Sequence, residues 1–263
     1  MKGFEFHRPQ SVADAVALLK GNDAAKLLAG GQSLLPVMKL DLAQPSDLIS
    51  LAAIDPLREI RDGDPLVIGA LATHDEVANS PVVRQRISGL ASLAAGIGDA
   101  QVRNRGTIGG SLAHADPAAD YPAAVLALGA TIETDRRKIA ADDYFTGLFT
   151  TALAPDEIIT AVHFPVPQCS AYAKFASRPS KYALVGVFVA KTSGGVRVAV
   201  TGAGSHAFRV PALESALAAD FSAGAVGSGS VSSGDLRSDT EAGAEYRAHL
   251  ITVMARRAVE ACR

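Results

Sequence analysis

Two short segments rich in glycine and hydroxyl side chains constrain the fold of this chain most strongly. The first is AGGQSLLP, Ala29–Pro36, which ends an apolar run, and the second is TIGGS, Thr107–Ser111. Paired glycines permit positive φ and bring a ligand close to bare backbone amides, and successive amides beside a hydroxyl form an anion nest. Either segment alone is also typical of a tight turn. Together they indicate a cradle for two phosphates of one extended ligand.

Composition and charge exclude several classes of protein. The 263 residues include 25 basic and 27 acidic side chains, so the net charge of −2 offers no basic field for nucleic acid. The two cysteines cannot supply the roughly four ligands of a zinc or iron-sulfur site. No apolar run of about 20 residues occurs, and the N-terminus has an acid and a histidine where a signal sequence would be apolar. We therefore predict a cytoplasmic protein with no integral membrane segment and no nucleic-acid partner.

The segment Pro165-Val166-Pro167 predicts a boundary between two domains. Before it, short apolar runs alternate with helical patterns, which predicts domain 1–168, with subdomains of about 1–53 and 54–168. After it, domain 169–263 has two helical patterns and three strand-like segments. These segments are Tyr172–Ala176, Leu184–Ala190 and Val196–Thr201. The expected class is α+β, with a three-stranded antiparallel sheet in the C-terminal domain.

A dinucleotide pattern in the second domain does not predict a Rossmann site. Gly202-Ala203-Gly204-Ser205-His206-Ala207 fits G-x-G-x-x-A after a strand, with Asp220 roughly where a ribose-binding acid is expected. A Rossmann loop runs directly into a helix, whereas Phe208-Arg209-Val210-Pro211 intervenes here. Because Pro211 biases Val210 away from helical geometry, we interpret the pattern as an ordinary turn.

Four longer motifs together resemble one known family. They are AGGQSLLP, QVRNRGTIGGSLAHADPAAD, DEIITAVHFP and the C-terminal EYRAHLITVMARRAVEA. As a set they resemble the FAD-binding medium subunit of the molybdenum hydroxylases, the group that includes carbon monoxide dehydrogenase and relatives of xanthine dehydrogenase. The resemblance extends over essentially the whole chain. It implies a two-subdomain FAD-binding fold of the vanillyl alcohol oxidase and murein-precursor reductase type, followed by the small C-terminal domain.

The resemblance also implies which residues contact FAD. The first segment would hold the pyrophosphate and a ribose, the second would hold the phosphates from the other side, and an acid would take a hydroxyl of FAD. Apolar residues would pack against the cofactor, with a basic residue and an aromatic one nearby. The residues matched in this way are Ala29, Gly30, Gly31, Gln32, Ser33, Leu34, Ile97, Thr107, Gly109, Gly110, Ser111, Asp120, Ile159, Lys174 and Tyr182.

Three of the acidic and aromatic positions also have structural interpretations. Asp120 precedes a predicted helix and fits a helix cap, and Asp116 fits an Asp-Pro turn. Tyr182 fits either a residue that covers the flavin ring or the first residue of a core strand. The family commonly has an acid directly before this aromatic residue, where this chain has Lys181.

The resemblance implies an oxidoreductase subunit that passes electrons from a partner's iron-sulfur clusters through non-covalent FAD to an external acceptor. Molybdopterin and the clusters would be carried by a large subunit and a small two-iron two-sulfur subunit. The region Gln101–Arg105, with two arginines, is a candidate partner surface, although its charges also fit ordinary solvated ones. The alternatives are a stand-alone FAD-dependent oxidase and a non-catalytic adenine-nucleotide-binding module. The organic substrate of the complex and its electron acceptor cannot be read from this chain.

Overall fold

The computed structural model describes residues 2–229 and 231–262, so Met1 and Arg263, the ends of the predicted domains, lie outside the described residues. The helices are α1 (Val12–Lys20), α2 (Leu34–Lys39), α3 (His74–Asn79), α4 (Pro81–Arg86), α5 (Ser88–Ala95), α6 (Ala100–Arg103), α7 (Ile108–His114), α8 (Tyr121–Ala127), α9 (Pro211–Ala219) and α10 (Ala244–Ala261). The strands are β1 (Glu5–His7), β2 (Lys26–Leu28), β3 (Asp47–Ser50), β4 (Ile60–Arg61), β5 (Leu66–Gly69), β6 (Thr131–Thr134), β7 (Lys138–Ala140), β8 (Phe145–Gly147), β9 (Thr150–Thr151), β10 (Ile159–Phe164), β11 (Cys169–Ala176), β12 (Ala183–Thr192), β13 (Gly195–Thr201) and β14 (Phe208–Arg209).

The N-terminal part is a small parallel sheet of order β1-β3-β2 packed with α1. Ser11 caps α1 by accepting a hydrogen bond from the amide of Asp14, as its position before an apolar helical pattern predicts. The core of this part combines Ala15 and Ile49 with Leu71 and Ile158 from later in the chain. The predicted subdomain division near residue 53 is therefore bridged by shared packing.

The central part is an antiparallel sheet of order β4-β5-β10-β6-β7, accompanied by helices α3 to α8. Thr73 and Glu76 form the predicted capping box at the start of α3, because each side chain accepts a hydrogen bond from the other residue's backbone amide. This part contains the largest apolar cluster of the described chain, and α7 packs against β10 beneath the second glycine segment.

The C-terminal sheet has four strands in the order β11-β12-β13-β14, so the prediction of three strands is wrong. Gly202, with φ of +83°, turns the chain after β13, and Phe208–Arg209 then pairs back on Ala199 and Val200. A strand of two residues is too short to show the alternation of apolar and polar residues that reveals longer strands. Because this strand separates Gly202 from α9, the segment does not run directly into a helix as a Rossmann loop does, and the plain strand-to-helix turn expected there is interrupted by a strand.

Strand β12 is buried on both faces and joins the two halves of the molecule. Val185, Val187 and Val189 face a core formed with α9 and α10, whereas Phe188 and Ala190 belong to the large core of the central part. The C-terminal sheet therefore packs against one apolar core with one face and against the other core with its opposite face. In the described residues, no helix combines the length and the apolar character needed to cross a bilayer.

Candidate functional site

The first glycine segment leaves consecutive backbone amides without acceptors. Strand β2 ends at Leu28, and Gly31 adopts φ of +74°, a left-handed conformation that favours glycine. None of the amides of the segment 31–34 donates to another described residue, and Ser33 makes no side-chain cap to α2. Gln32 is exposed, and its side chain reaches only the carbonyl of Gly30, at 3.4 Å. This geometry is what an anion nest requires.

The second glycine segment is the first turn of α7 and not an open loop. The amide of Gly109 donates to the carbonyl of Ala70 at 2.8 Å, and that of Ser111 donates to the carbonyl of Thr107 at 3.0 Å. The amide of Gly110 donates to the Thr107 hydroxyl oxygen at 3.1 Å. The expectation that these amides are free for phosphate is therefore wrong, because the helix and its cap already use them. The hydroxyl groups of Thr107 and Ser111 are the polar groups that this segment can offer.

The two segments lie side by side although 76 positions separate Gly31 from Thr107 in the chain. A methyl group on Gly30 would stand 2.0 Å from the carbonyl oxygen of Arg105, just before α7. A methyl group on Gly110 would stand 3.8 Å from the methyl of Ala29. Gly30 thus permits a main-chain contact between the first segment and the chain just before the second, which no larger residue would allow. One ligand can touch both segments.

Asp120 is buried and is hydrogen-bonded to two side chains of β11. Lys174 Nζ lies 3.1 Å from Asp120 Oδ2, and the Tyr172 hydroxyl donates to Asp120 Oδ1. Burial raises the pKa of Asp120 above its ordinary value, against the opposing effects of the Lys174 ammonium and the Tyr172 hydroxyl. Asp120 makes no side-chain cap to α8, so its interpretation as a helix cap is wrong. Asp116 does accept from the amide of Ala118 at 2.8 Å, as an Asp-Pro turn predicts.

Lys174 connects Asp120 with the segments that carry Ile97 and Tyr182. Its ammonium donates to the carbonyl of Gly96 at 2.9 Å and to that of Lys181 at 3.2 Å. The Tyr182 side chain is 46% exposed, and Tyr182 directly precedes the buried strand β12, one residue before the start that the core-strand interpretation expects. Partial burial and the charges of Asp116 and Asp120 raise the pKa of Tyr182, which places it on the same side as these carboxylates.

Ile97 and Ile159 differ in their surroundings. Ile97 is half-buried in the turn after α5, and its carbonyl accepts from Arg103 at 3.1 Å. Ile159 is 5% exposed at the start of β10 and belongs to the large core. Ile108 of the second glycine segment belongs to the same core, and α7 packs against β10. Arg103, one of the two arginines in the predicted partner region Gln101–Arg105, is partly committed to this internal bond.

Sequence reasoning missed three polar side chains near the site, namely His74, Tyr121 and Tyr172. His74 is 6% exposed and lies against Gly106, with its ring 5.3 Å from that of Tyr121. Neither His74 Nδ1 nor the Tyr121 hydroxyl has a hydrogen-bond partner among the described residues. Burial, aided by the positive charge of Arg103, lowers the pKa of His74 to about 4. Among these three residues, only His74 lay in a motif that the sequence revealed, the Thr73–Glu76 capping box. At that position it resembles an ordinary residue of a helix.

The described residues contain no group of three or more His, Cys, Asp or Glu that could hold a metal ion. The two cysteines are nevertheless not isolated from each other, because burial raises the pKa of Cys262 and the Cys169 thiol is near enough to raise this pKa further. The prediction that the cysteines cannot form a metal site therefore rests on there being only two of them, and not on their distance from each other.

The chain therefore presents a run of free amides beside the first turn of α7, and a buried acid-lysine pair formed by Asp120 and Lys174. A family model described as the FAD binding domain in molybdopterin dehydrogenase matches residues 2–167. The chain therefore belongs to this family, as the resemblance predicted, and is the FAD-binding medium subunit of a molybdenum hydroxylase, an oxidoreductase component.

Characterised relatives cover nearly the whole chain. The nicotine 6-hydroxylase medium subunit of Paenarthrobacter nicotinovorans is 39% identical, over 98% of this chain and 97% of that protein. The carbon monoxide dehydrogenase medium chain of Afipia carboxidovorans is 36% identical, over 98% and 96%. Among solved structures, reconstituted CO dehydrogenase from Oligotropha carboxidovorans matches with a TM-score of 0.92 and 35% identity, over 98% and 97%. Quinoline 2-oxidoreductase from Pseudomonas putida 86 matches with a TM-score of 0.89 and 30% identity, over 99% and 98%.

The residues present fit FAD. The amides of the segment 31–34 offer donors to an anion, and the glycine at position 30 leaves room for main chain to approach main chain. His74 Nδ1 and the Tyr121 hydroxyl are buried without a hydrogen-bond partner among the described residues, and His74 lies against Gly106, just before the second segment.

Proposed function

We propose that the FAD pyrophosphate binds at the amides of the segment 31–34, opposite the hydroxyl groups of Thr107 and Ser111. The observation that carries this proposal is the run of four backbone amides without acceptors, next to the first turn of α7. Such amides stabilise phosphate oxygens by charge-assisted hydrogen bonds. Ala29, Gly30, Gln32, Gly109 and Gly110 shape this part of the site.

Around the remaining length of FAD, we assign Asp120 to a hydroxyl group of the cofactor and Tyr182 to the flavin ring. Tyr182 is exposed and close to Asp116 and Asp120, which supports this assignment. Ile97, in the turn after α5, and Ile159, at the start of β10, would supply apolar contacts at the site's edge. When bound, FAD supplies the redox chemistry, and the chain holds it in place and tunes its surroundings.

We further propose that the first 168 residues form two FAD-binding subdomains of the vanillyl alcohol oxidase and murein-precursor reductase type. Residues 169–263 would form the second domain of the medium subunit. Relatives are named as medium subunits of carbon monoxide dehydrogenase and nicotine 6-hydroxylase, which supports a complex with a large molybdopterin subunit and a small iron-sulfur subunit. Electrons would pass from the iron-sulfur clusters through this chain to an external acceptor, in the cytoplasm.

The complex is tested by co-expression with the neighbouring reading frames, followed by size-exclusion chromatography and a visible spectrum of each peak. A flavin spectrum in a peak that contains three different chains supports the proposal. A flavin-loaded chain that elutes alone and oxidises an organic substrate without molybdenum would establish the stand-alone oxidase in its place.

The placement of the phosphates is tested by Gly110→Val. The first atom of the new side chain would stand 2.8 Å from the Thr107 hydroxyl and 3.8 Å from the Ala29 methyl, so the side chain fills the space between the two segments. We expect the variant to keep its far-ultraviolet circular dichroism and lose flavin. Gly194→Val is the matched control, since position 194 meets only ordinary contacts. Full flavin occupancy in Gly110→Val would refute this placement.

We also propose that FAD is held without a covalent bond. The side chains that tether flavins are typically His or Cys, and here the His114 ring packs on Phe149 while Cys169 is a half-buried free thiol near Cys262. Acid precipitation should release all of the yellow colour into the supernatant. Colour that stays in the pellet after washing would identify a covalent link, with His114 the first residue to examine.

A further inference from the structure

Lys174 is saturated by acceptors from three separate parts of the chain. Its ammonium donates to the carbonyl of Gly96 at 2.9 Å, to Asp120 Oδ2 at 3.1 Å and to the carbonyl of Lys181 at 3.2 Å. A lysine ammonium has three N–H donors, so each donor has one acceptor within the chain. The side chain is only 11% exposed. Lys174 therefore has no donor left over for a direct bond to a ligand.

The three acceptors belong to segments that the proposed function places around FAD. Gly96 ends α5 and directly precedes Ile97, Asp120 precedes α8, and Lys181 directly precedes Tyr182. These segments come from both sides of the predicted domain boundary. Lys174 lies on β11, whose regular pairing with β12 fixes the position of its backbone.

The Asp120 side of this arrangement is held by a second residue of the same strand. Tyr172 lies two residues before Lys174 and on the same face of β11. Its hydroxyl donates to Asp120 Oδ1. Gly186 on the neighbouring strand makes room for it, because a methyl group there would stand 2.1 Å from the Tyr172 hydroxyl oxygen. The Asp120 carboxylate is thus oriented from both of its oxygens.

The loop that carries Tyr182 is closed by hydrogen bonds between its own residues. Other hydrogen bonds must therefore hold it against the rest of the molecule. The amide of Ser177 donates to the carbonyl of Tyr182 at 2.9 Å, and the amide of Lys181 donates to the carbonyl of Ser177 at 3.0 Å. Lys181 adopts φ of +63°, an uncommon conformation for a side chain of this kind. The Ser177 hydroxyl ties the loop to Glu241 in the C-terminal part, whereas Lys174 ties it to Asp120 and Gly96 in the central part.

We propose that Lys174 is a positioning residue, which fixes the turn at Ile97, the Asp120 carboxylate and the Tyr182 loop relative to one another before FAD binds. This inference rests on the proposed FAD site. It departs from the assignment of Lys174 as a basic residue that contacts the cofactor. Its contribution to affinity is made by preorganisation, since an ordered site pays less conformational entropy on binding.

The test compares amide hydrogen exchange in the flavin-free full-length chain for the wild type, Lys174→Met and Lys174→Arg. Methionine keeps the length of the side chain and removes all three donors. We expect peptides that cover 96–98 and 177–183 to exchange at least about tenfold faster in Lys174→Met, as the loss of about one strong hydrogen bond implies. Lys191→Met is the matched control on the adjacent strand, because the Lys191 side chain is exposed and its ammonium lies over the Phe221 ring, away from Asp120.

Lys174→Arg keeps the charge opposite Asp120 and remains informative if the methionine variant does not fold. A planar guanidinium cannot point at three divergent acceptors as an ammonium does, so we expect faster exchange at 177–183 with the Asp120 pair retained. If the amides of segments 96–98 and 177–183 exchange at the wild-type rate in every variant that folds, the proposal is overturned.

FAD affinity, measured by quenching of flavin fluorescence, separates this inference from the function on which it rests. Lys174→Met could lose most of its FAD affinity while segments 96–98 and 177–183 exchange more slowly or at the wild-type rate. That result would show that Lys174 acts by direct contact with FAD, and would overturn the proposal that it is a positioning residue. Faster exchange with FAD affinity reduced at least about tenfold supports it. A wild-type chain that binds no FAD while Lys174→Met loosens both segments would refute the proposed function, yet leave the structural role of Lys174 intact.

Discussion

Acidification should destabilise this chain through His74 before most carboxylates titrate. The imidazole is 6% exposed and faces Gly106 and Tyr121, and burial lowers its pKa from 6.5 to about 4. The His74 imidazole therefore takes up a proton near pH 6.5 in the unfolded chain, but only near pH 4 in the folded chain. Since the unfolded state binds more protons in this interval, the free energy of unfolding falls as the pH falls through it.

The size of this effect follows from the two pKa values. Each pKa unit corresponds to about 1.4 kcal/mol, so the full shift amounts to about 3 kcal/mol once both states have titrated. Between about pH 7 and pH 5, where the folded imidazole stays neutral, the expected loss is about 2 kcal/mol. That is a large part of the 5–15 kcal/mol typical of native domains. Burial raises the pKa of Asp120, which works in the opposite direction, so the comparison must isolate His74.

Urea denaturation of the wild type and of His74→Leu at a series of pH values isolates this contribution. The difference between their free energies of unfolding should change by about 2 kcal/mol over this pH range, with the wild type losing more in acid. His249→Leu, which alters an exposed histidine on α10, should run parallel to the wild type. Parallel curves for the wild type and His74→Leu would refute the argument that His74 is buried in its neutral form.

Three further changes test other contacts. Arg247→Met should lower the free energy of unfolding by about 3–5 kcal/mol in urea, because the guanidinium is 2% exposed and bonds Asp239 and the carbonyls of Leu184 and Gly202. A loss below about 1 kcal/mol would contradict this. Gly30→Ala should abolish flavin retention on gel filtration, since its methyl would stand 2.0 Å from the Arg105 carbonyl oxygen, and normal retention would count against the close contact. Hydrogen peroxide should convert the neighbouring free thiols of Cys169 and Cys262 to a disulfide, with two molecules of water formed, which a non-reducing peptide map detects. Cys169→Ser should prevent it, and separate oxidation of the two thiols would show that they do not pair.

Local patterns predicted the elements of this fold better than their contacts. Ser11 and the Thr73–Glu76 capping box identified helix starts, because a cap depends on residues only three positions apart. The strand Phe208–Arg209 escaped prediction because its pairing is created by the turn at Gly202 and not by its own sequence. The first glycine segment was predicted as a nest and has the free amides that this requires.

The second segment shows where such reasoning fails. TIGGS has the composition of a loop, yet Thr107 caps a helix and uses the Gly110 amide. The role of Tyr172 was equally hidden, because it depends on a carboxylate 52 positions away and on the missing side chain of Gly186. Contacts between distant segments are set by tertiary packing, which spacing along one sequence does not encode.

Strand β12, buried on both faces, makes the domain boundary a poor place to divide the protein. A fragment that ended near Pro167 would lose Phe188, Ala190 and Ala199 from the central core and expose the apolar surface of α8 that packs on β12 and β13. Exposed apolar patches of this kind promote aggregation. The FAD-binding part should therefore be produced with its C-terminal sheet attached, and chimaeras between relatives should exchange the two parts together.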